Sequence, residues 1–232
     1  SENVFSDFVH LRTGRKYAEY WDPVSGECYS LPVILGGNSL SLRLSLAARE
    51  SGFIIVSDRK NDSLPARGFT TDKAKKCIVN GDWKVYFDPR WGGPGEVIFT
   101  QLTDWSKAKE PGIVYYSGTA VYKKNIHIDK KEKGKQILLR FDRLGSLARI
   151  YLNGYEVSTL WCSPWEADLT RWAVEGENSL EIHVVNSLMN RMIGDASLPQ
   201  NERFTYAYPA IATSKDTLVP SGIIGNVYLV VR

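Results

Sequence analysis

The sequence predicts an all-β protein, an antiparallel β-sandwich or jelly roll preceded by a smaller antiparallel β segment. Three observations carry this. Asn153-Gly154 sits between two alternating apolar runs, and Asn-Gly supplies the two positive-φ residues of a type I′ hairpin turn. Period-two alternation recurs along the chain, as in Leu40, Leu42, Leu44, Leu46 and again in Leu180, Ile182, Val184. Gly- and Pro-rich turns separate these runs, with almost no helical periodicity between them.

Taken in order, the first strands are Val4–Val9 and Lys16–Tyr20, with a turn at Thr13-Gly14 between them. Trp21-Asp-Pro-Val-Ser-Gly26 reads as a turn, Pro23 presetting φ and Gly26 taking the strained position. Glu27–Val33 is the return strand, followed by Ser39–Leu46 and Phe53–Ser57. These strands bury one modest face. Residues 1–60 are therefore either the tail of a sandwich whose beginning is missing or a strand group leaning on the next domain. Residues 61–78, rich in Asn, Asp, Ser, Pro and charge, read as a linker.

The second domain spans 79–232. Trp83, Val85 and Phe87 share one face of a strand, and a turn-rich stretch follows to Gly95. Val97–Leu102, Gly118–Ile128 and Gln136–Phe141 come next, the last with Ile137, Leu139 and Phe141 turned to the core. In the hairpin, a two-residue loop puts Leu152 opposite Tyr155, Ile150 opposite Val157 and Ala148 opposite Thr159. Arg149 and Tyr151 then point to the other face. Asp168-Leu-Thr170 can cap a short helical turn stopped by Gly176. Residues 187–218 read as irregular, and Asn226–Val231 as the last strand.

Composition narrows the function classes. Hydrophobic residues at 43% and charged residues at 24% are ordinary for a globular protein. The net charge of +3 is small and its lysines are interspersed with acids, so the Lys-rich stretch 129–135 reads as a solvated loop and not as a nucleic-acid surface. No apolar run reaches membrane-spanning length, and no signal peptide is present. Cys28, Cys77 and Cys162 show no CxxC, which implies neither a zinc site nor a disulfide framework.

An ordered series of motifs resembles the sugar-binding jelly roll of family 2 glycoside hydrolases. Tyr116-Ser-Gly118-Thr-Ala-Val-Tyr122-Lys-Lys is similar to its "YxGxxWYR" strand. Leu139-Arg-Phe-Asp-Arg-Leu-Gly-Ser-Leu-Ala-Arg-Ile-Tyr-Leu-Asn153-Gly154 resembles "L-x-F-x-G-V-x-x-x-A-x-V-x-L-N-G". Asp168-Leu-Thr170, then Gly176-Glu-Asn178-Ser-Leu-Glu-Ile-His-Val-Val-Asn186, follows the family's next segment, and Ser221-Gly-Ile-Ile-Gly225-Asn-Val-Tyr-Leu its closing one. Asn226 stands where the pattern has Pro, and Val121-Tyr122 where it has Trp-Tyr. A narrower resemblance, to the C-terminal region of large α-L-rhamnosidase-type enzymes, rests on Trp83–Pro94, Leu102–Trp105, Asn190–Asp195 and the Tyr20–Gly26 hairpin. The resemblance implies a galactose-binding-like jelly roll in a secreted or periplasmic enzyme, its catalytic carboxylates on a separate upstream barrel. A glycan and that catalytic domain would be its partners.

Glycoside hydrolysis needs two carboxyl groups opposed across the bond. Glu166 and Asp168 are close in sequence, but Asp168 is better explained as a cap, and no catalytic residue is assigned. His10, His127 and His183 stand singly in strand-like segments, where hydrogen-bonded surface histidine is the default. No cofactor motif is present. Asp88, Asp104, Asp142 and Asp195 could offer oxygen ligands to a structural Ca²⁺, without calcium-loop spacing. The candidate carbohydrate contacts are Trp91, Trp105, Trp161, Trp165, Asn190, Arg191 and Asp195, since indole faces stack on sugar C–H faces and polar groups hold the hydroxyl rim. The alternative is that these tryptophans fill the core or an interdomain interface.

Overall fold

The computed structural model describes residues 4–67, 74–132, 134–207 and 211–232. The chain divides into two units, Ser1–Asp72 and Lys73–Arg232.

The first unit holds β1 (Phe5–Arg12), β2 (Tyr17–Trp21), β3 (Cys28–Leu31), β4 (Val33–Gly36), β5 (Ser39–Leu46) and β6 (Phe53–Ser57). They form two three-stranded antiparallel sheets, β1-β5-β4 and β3-β2-β6. One core draws on both sheets, with Ala18, Tyr20 and Leu31 meeting Leu40, Leu42 and Leu44. The expectation of a single modest face is thereby corrected: the unit is a small sandwich. The strand expected over Glu27–Val33 splits at Pro32, which has no N–H for a ladder, and the chain changes sheet there. The Asp22 turn forms as the sequence requires. Asp22 Oδ1 accepts the Val24 N–H at 2.8 Å, and Gly26 has φ +75°.

The second unit begins with β7 (Lys75–Ile78), inside the stretch read as a linker. This strand lies at the edge of its sheet, with Cys77 opposite Leu229 and all four residues exposed. A Lys-bearing, solvated edge strand carries the same composition as a linker, and lysine is one device that keeps edges from pairing further. Then follow β8 (Trp83–Phe87), β9 (Gly95–Phe99), α1 (Pro111–Val114), β10 (Thr119–Ile128), β11 (Ile137–Leu144), β12 (Leu147–Leu152), β13 (Tyr155–Leu160), β14 (Glu166–Asp168), β15 (Gly176–Val185), α2 (Met189–Asp195) and β16 (Ile223–Val231). A six-stranded sheet, β13-β12-β15-β10-β8-β9, faces a four-stranded one, β14-β11-β16-β7. Their inward residues, among them Val85, Tyr122, Leu139, Ile150, Ile182 and Val227, make one core. This is the jelly-roll sandwich that the alternation predicts.

Two local expectations change. The Asn153-Gly154 turn has φ +52° and +83°, and Leu152 does face Tyr155. Beyond Tyr151, however, Ile150 pairs with Ser158 and Ala148 with Leu160. The extra residue makes a β-bulge, which brings Leu160 into the core while Val157 packs partly against it. Residues 187–218 are not wholly irregular, because they contain α2. Its seven residues and its lack of a side-chain cap leave no sequence signature. Asp168 Oδ1 accepts the Thr170 N–H at 2.8 Å as expected, whereas Gly176 opens β15 and does not end the turn.

Candidate functional site

The candidate residues separate into three environments. Trp105, 1% exposed, lies at the centre of the second core, where its indole N–H donates to the Tyr122 hydroxyl at 2.6 Å. Phe87 and Tyr116 meet it edge-on with centroids 5.2 and 6.0 Å away. Asp104 holds the turn that delivers it, Oδ1 accepting from the N–H groups of Ser106 and Ser221 at 3.0 Å each. Trp105 is a core residue, which corrects its placement among ligand contacts; a side chain packed on every face offers none to a sugar. Trp165 is half-buried against the same core. Trp161 is 62% exposed beside the Cys162–Pro164 loop.

Asn190 is fully buried. Its amide donates to the Val219 carbonyl at 2.8 Å and accepts the Val219 N–H at 2.7 Å, clamping α2 to the chain that leads into β16. This residue too is structural.

Arg191, Asp195 and Trp91 are brought together. The 3₁₀ turn Pro89–Trp91 is capped by Asp88, which accepts the Arg90 N–H at 2.9 Å, and it ends on Gly92 at φ +73°. That turn presents the Trp91 carbonyl to Arg191 Nη2, which donates to it at 3.0 Å. The guanidinium carbon lies 4.6 Å above the Phe204 ring. Asp195, one helical turn from Arg191, places Oδ1 3.7 Å from Nη1. Asp195 Oδ2 accepts from the Thr205 N–H at 2.7 Å and hydroxyl at 2.6 Å, while buried Oδ1 has no hydrogen-bond partner. Burial pushes the Arg191 guanidinium below its ordinary range, opposed by the neighbouring Asp195 charge.

Arg191 opens onto a pocket of about 360 Å³. Gly92 borders it after β8, Pro111, Gly112 and Tyr115 in and after α1, Gly194 on α2, and Ser197, Leu198 and Phe204 beyond. The glycines are fixed by space. A Cβ on Gly194 would lie 2.5 Å from the Tyr115 ring, and one on Gly92 2.9 Å from Phe204. Trp91 itself is 48% exposed and adjoins the lining residue Gly92. Sequence reasoning missed Tyr115, Leu198 and Phe204. Apolar residues in short, non-periodic segments carry no pattern that distinguishes a pocket lining from a core. A second recess of about 170 Å³, near Asn80, Thr100, Gln101 and Asn226, has no titratable lining.

The acidic and histidine residues are accounted for by partners. Glu166 Oε2 accepts from Arg140 Nε at 2.7 Å, its cross-strand neighbour on β11, and no opposed carboxyl faces it across a cleft among the described residues. His10 pairs with Ser41, His127 with Glu177, and His183 with Glu181. Among the described residues no three His, Cys, Asp or Glu side chains gather as a metal site. Of the four aspartates weighed for Ca²⁺, Asp88 and Asp104 cap turns, Asp142 accepts the Asn226 N–H at 2.8 Å, and Asp195 holds Thr205.

Residues 56–232 match the family model described as glycosyl hydrolases family 2, sugar binding domain. A protein of Formosa agariphila provisionally named a beta-glucuronidase is 36% identical over 144 residues, which is 61% of this chain and 12% of that protein. The structure of a rhamnosidase from Novosphingobium sp. PP1Y superposes on 100% of this chain and 22% of its own, with TM-score 0.86 and 29% identity. A beta-glucuronidase of Ruminococcus gnavus shares the fold over 71% of this chain and 29% of its own, with TM-score 0.51 and 20% identity. The chain thus spans a small part of the length of each relative.

Proposed function

The chain belongs to the sugar-binding domains of family 2 glycosyl hydrolases, and from that premise we propose that it is a non-catalytic, carbohydrate-binding accessory region of a larger glycoside hydrolase. Its parent would resemble α-L-rhamnosidases and act in a secreted or periplasmic setting, with this region bracing an upstream catalytic barrel and holding glycan. The observation that supports binding is the pocket at Arg191. It has a volume of about 360 Å³, apolar and aromatic sides, and a cationic side chain in its lining, the usual make-up of a small-molecule site. Glu166, the acid most readily suspected of catalysis, is held in an ion pair with Arg140. On this reading the chain turns over neither aryl-rhamnosides nor aryl-glucuronides, and turnover abolished by Glu166→Ala would refute it.

The second reading is a purely architectural scaffold, favoured by the burial of Trp105 and Asn190. A glycan panel titrated against the chain and against Leu198→Trp, which fills the pocket, separates the two. Binding by the parent chain that is lost in the filled variant supports the first. An intact fold that binds no glycan supports the second.

A further inference from the structure

In the first unit, a short segment outside the six strands is held against the edge of a sheet. β3 lies at the edge of the sheet β3-β2-β6, with β2 as its ladder partner. On its other side Ser30 pairs in parallel with Ala66. The Ser30 N–H donates to the Pro65 carbonyl at 2.9 Å, and the Arg67 N–H donates to the Ser30 carbonyl at 3.0 Å. Residues 65–67 thus add a short parallel segment to an otherwise antiparallel sheet and cover backbone groups that an edge strand leaves open.

No buried apolar side chain holds this segment. Pro65 and Ala66 are exposed, and neither they nor Leu64 join the core of the unit. Residues 58–63, which lead into it, are exposed throughout, and their ion pairs, Arg15 with Asp58 and Lys60 with Asp62, lie in solvent. The anchor is Arg67. Its guanidinium carbon sits 3.5 Å from the centroid of the Tyr20 ring, and Nη2 donates to Glu50 Oε1 at 2.7 Å. Unlike the surface pairs, the side chains of Arg67 and Glu50 are only 17% and 22% exposed. Both of its partners are fixed from elsewhere. Tyr20 belongs to the core, and its hydroxyl donates to Glu50 Oε1 and to the Ser51 carbonyl, each at 3.0 Å. Glu50 Oε2 accepts the Ala47 N–H at 2.6 Å. Arg67 therefore closes onto a seat that other contacts build.

We propose that residues 65–67 are a releasable strap, latched by Arg67, that lifts from β3 while β1–β6 stay folded. Two backbone hydrogen bonds, the Ser30 hydroxyl on the Pro65 carbonyl at 3.3 Å and the Arg67 contacts hold it. The strands are held by continuous ladders and a shared core, so the strap opens at a free energy well below that of the unit. Closed, it shields the edge of β3. Open, it bares the Ser30 N–H and carbonyl, groups through which a further strand adds to a sheet edge. Arg67 sets the balance, because its seat on the ring and its charge-assisted hydrogen bond exist only in the closed state.

Hydrogen exchange on the 232-residue chain tests this. The amides of Ser30 and Arg67 are expected to exchange faster than those of Ala18 in β2 and Leu42 in β5. Arg67→Met keeps an apolar stem over Tyr20 and loses the guanidinium. In that variant, protection at Ser30 and at position 67 falls about tenfold further, the equivalent of one charge-assisted hydrogen bond partly open to water, while Ala18 and Leu42 are unchanged. Trypsin gives a second readout. It cuts the parent chain after Arg59 and Lys60 before it cuts after Arg67, and Arg67→Lys, which keeps the charge and loses the planar fork, speeds cleavage after position 67. Unchanged exchange at Ser30 and position 67, or unaltered tryptic cleavage, would overturn the latch. Parent-chain rates equal to that of Leu42, or a loss of protection that spreads to Ala18 and Leu42 in the variant, would overturn the strap itself, since strap and sandwich would then open as one.

Discussion

At the residue scale, the two kinds of aromatic and polar candidates differ only in what surrounds them. Trp105 and Trp91 both follow a turn-capping aspartate by one and three positions, yet Trp105 is enclosed by Phe87, Tyr116 and Tyr122 while Trp91 stands in solvent. Trp105→Phe removes the indole donor from the Tyr122 hydroxyl, which is itself buried and raised in pKa by desolvation. With the cavity left by the smaller ring, unfolding in denaturant is expected to show a loss of about 2–4 kcal/mol. Asn226, where the family pattern has proline, uses the N–H that proline lacks to bond Asp142. On the six-stranded sheet, Glu181 lies between Lys123 at 2.9 Å and His183 at 2.5 Å. Burial by itself would raise its pKa, but the hydrogen bonds and charges of those two neighbours outweigh it and hold the carboxyl below the ordinary glutamate range. The sign follows: a depressed carboxyl contributes stability above its unfolded pKa, lost as pH falls through the lower folded one. Side-chain carbon NMR should place the Glu181 midpoint below the ordinary glutamate range, and Lys123→Met should raise it.

At the element scale, the strands were legible wherever one face is buried and the other is wet. β5, β8, β10 and β15 each alternate, and their buried residues are the alternating ones. The Asn153-Gly154 hairpin was legible from its turn chemistry, because few residues tolerate two successive positive φ values. Gly154→Ala, forced to φ +83°, is expected to cost about 1 kcal/mol in thermal or denaturant unfolding, with β12 and β13 still paired. The bulge in β13 was not legible. It is set by the need to bring Leu160 to the core, and that need exists only once the opposite sheet is in place. β7 was hidden for a related reason: an exposed edge strand has no buried face to impose alternation. In α2, Asn190 and Arg191 point inward as polar residues, so no apolar stripe marks the helix.

At the scale of the whole molecule, two cores with no residue in common define the two units. Leu42, buried at the centre of β5 between β1 and β4, anchors the smaller one. Leu42→Ala is expected to destabilise that unit by about 2–5 kcal/mol. Hydrogen exchange should register the loss in β1–β6 with protection of β10 and β15 retained, and uniform loss across both units would contradict separate cores. The sequence by itself determined the sandwich class and most strand positions, because alternation and turn chemistry are local and repeat along the chain, while its ordered motifs carried the resemblance to the family. Only the tertiary structure decided which candidate side chains can meet a ligand. Burial of Trp105 and Asn190, and the meeting of Arg191 with the Trp91 carbonyl across 100 positions, depend on distant segments packing together. No local pattern encodes that convergence.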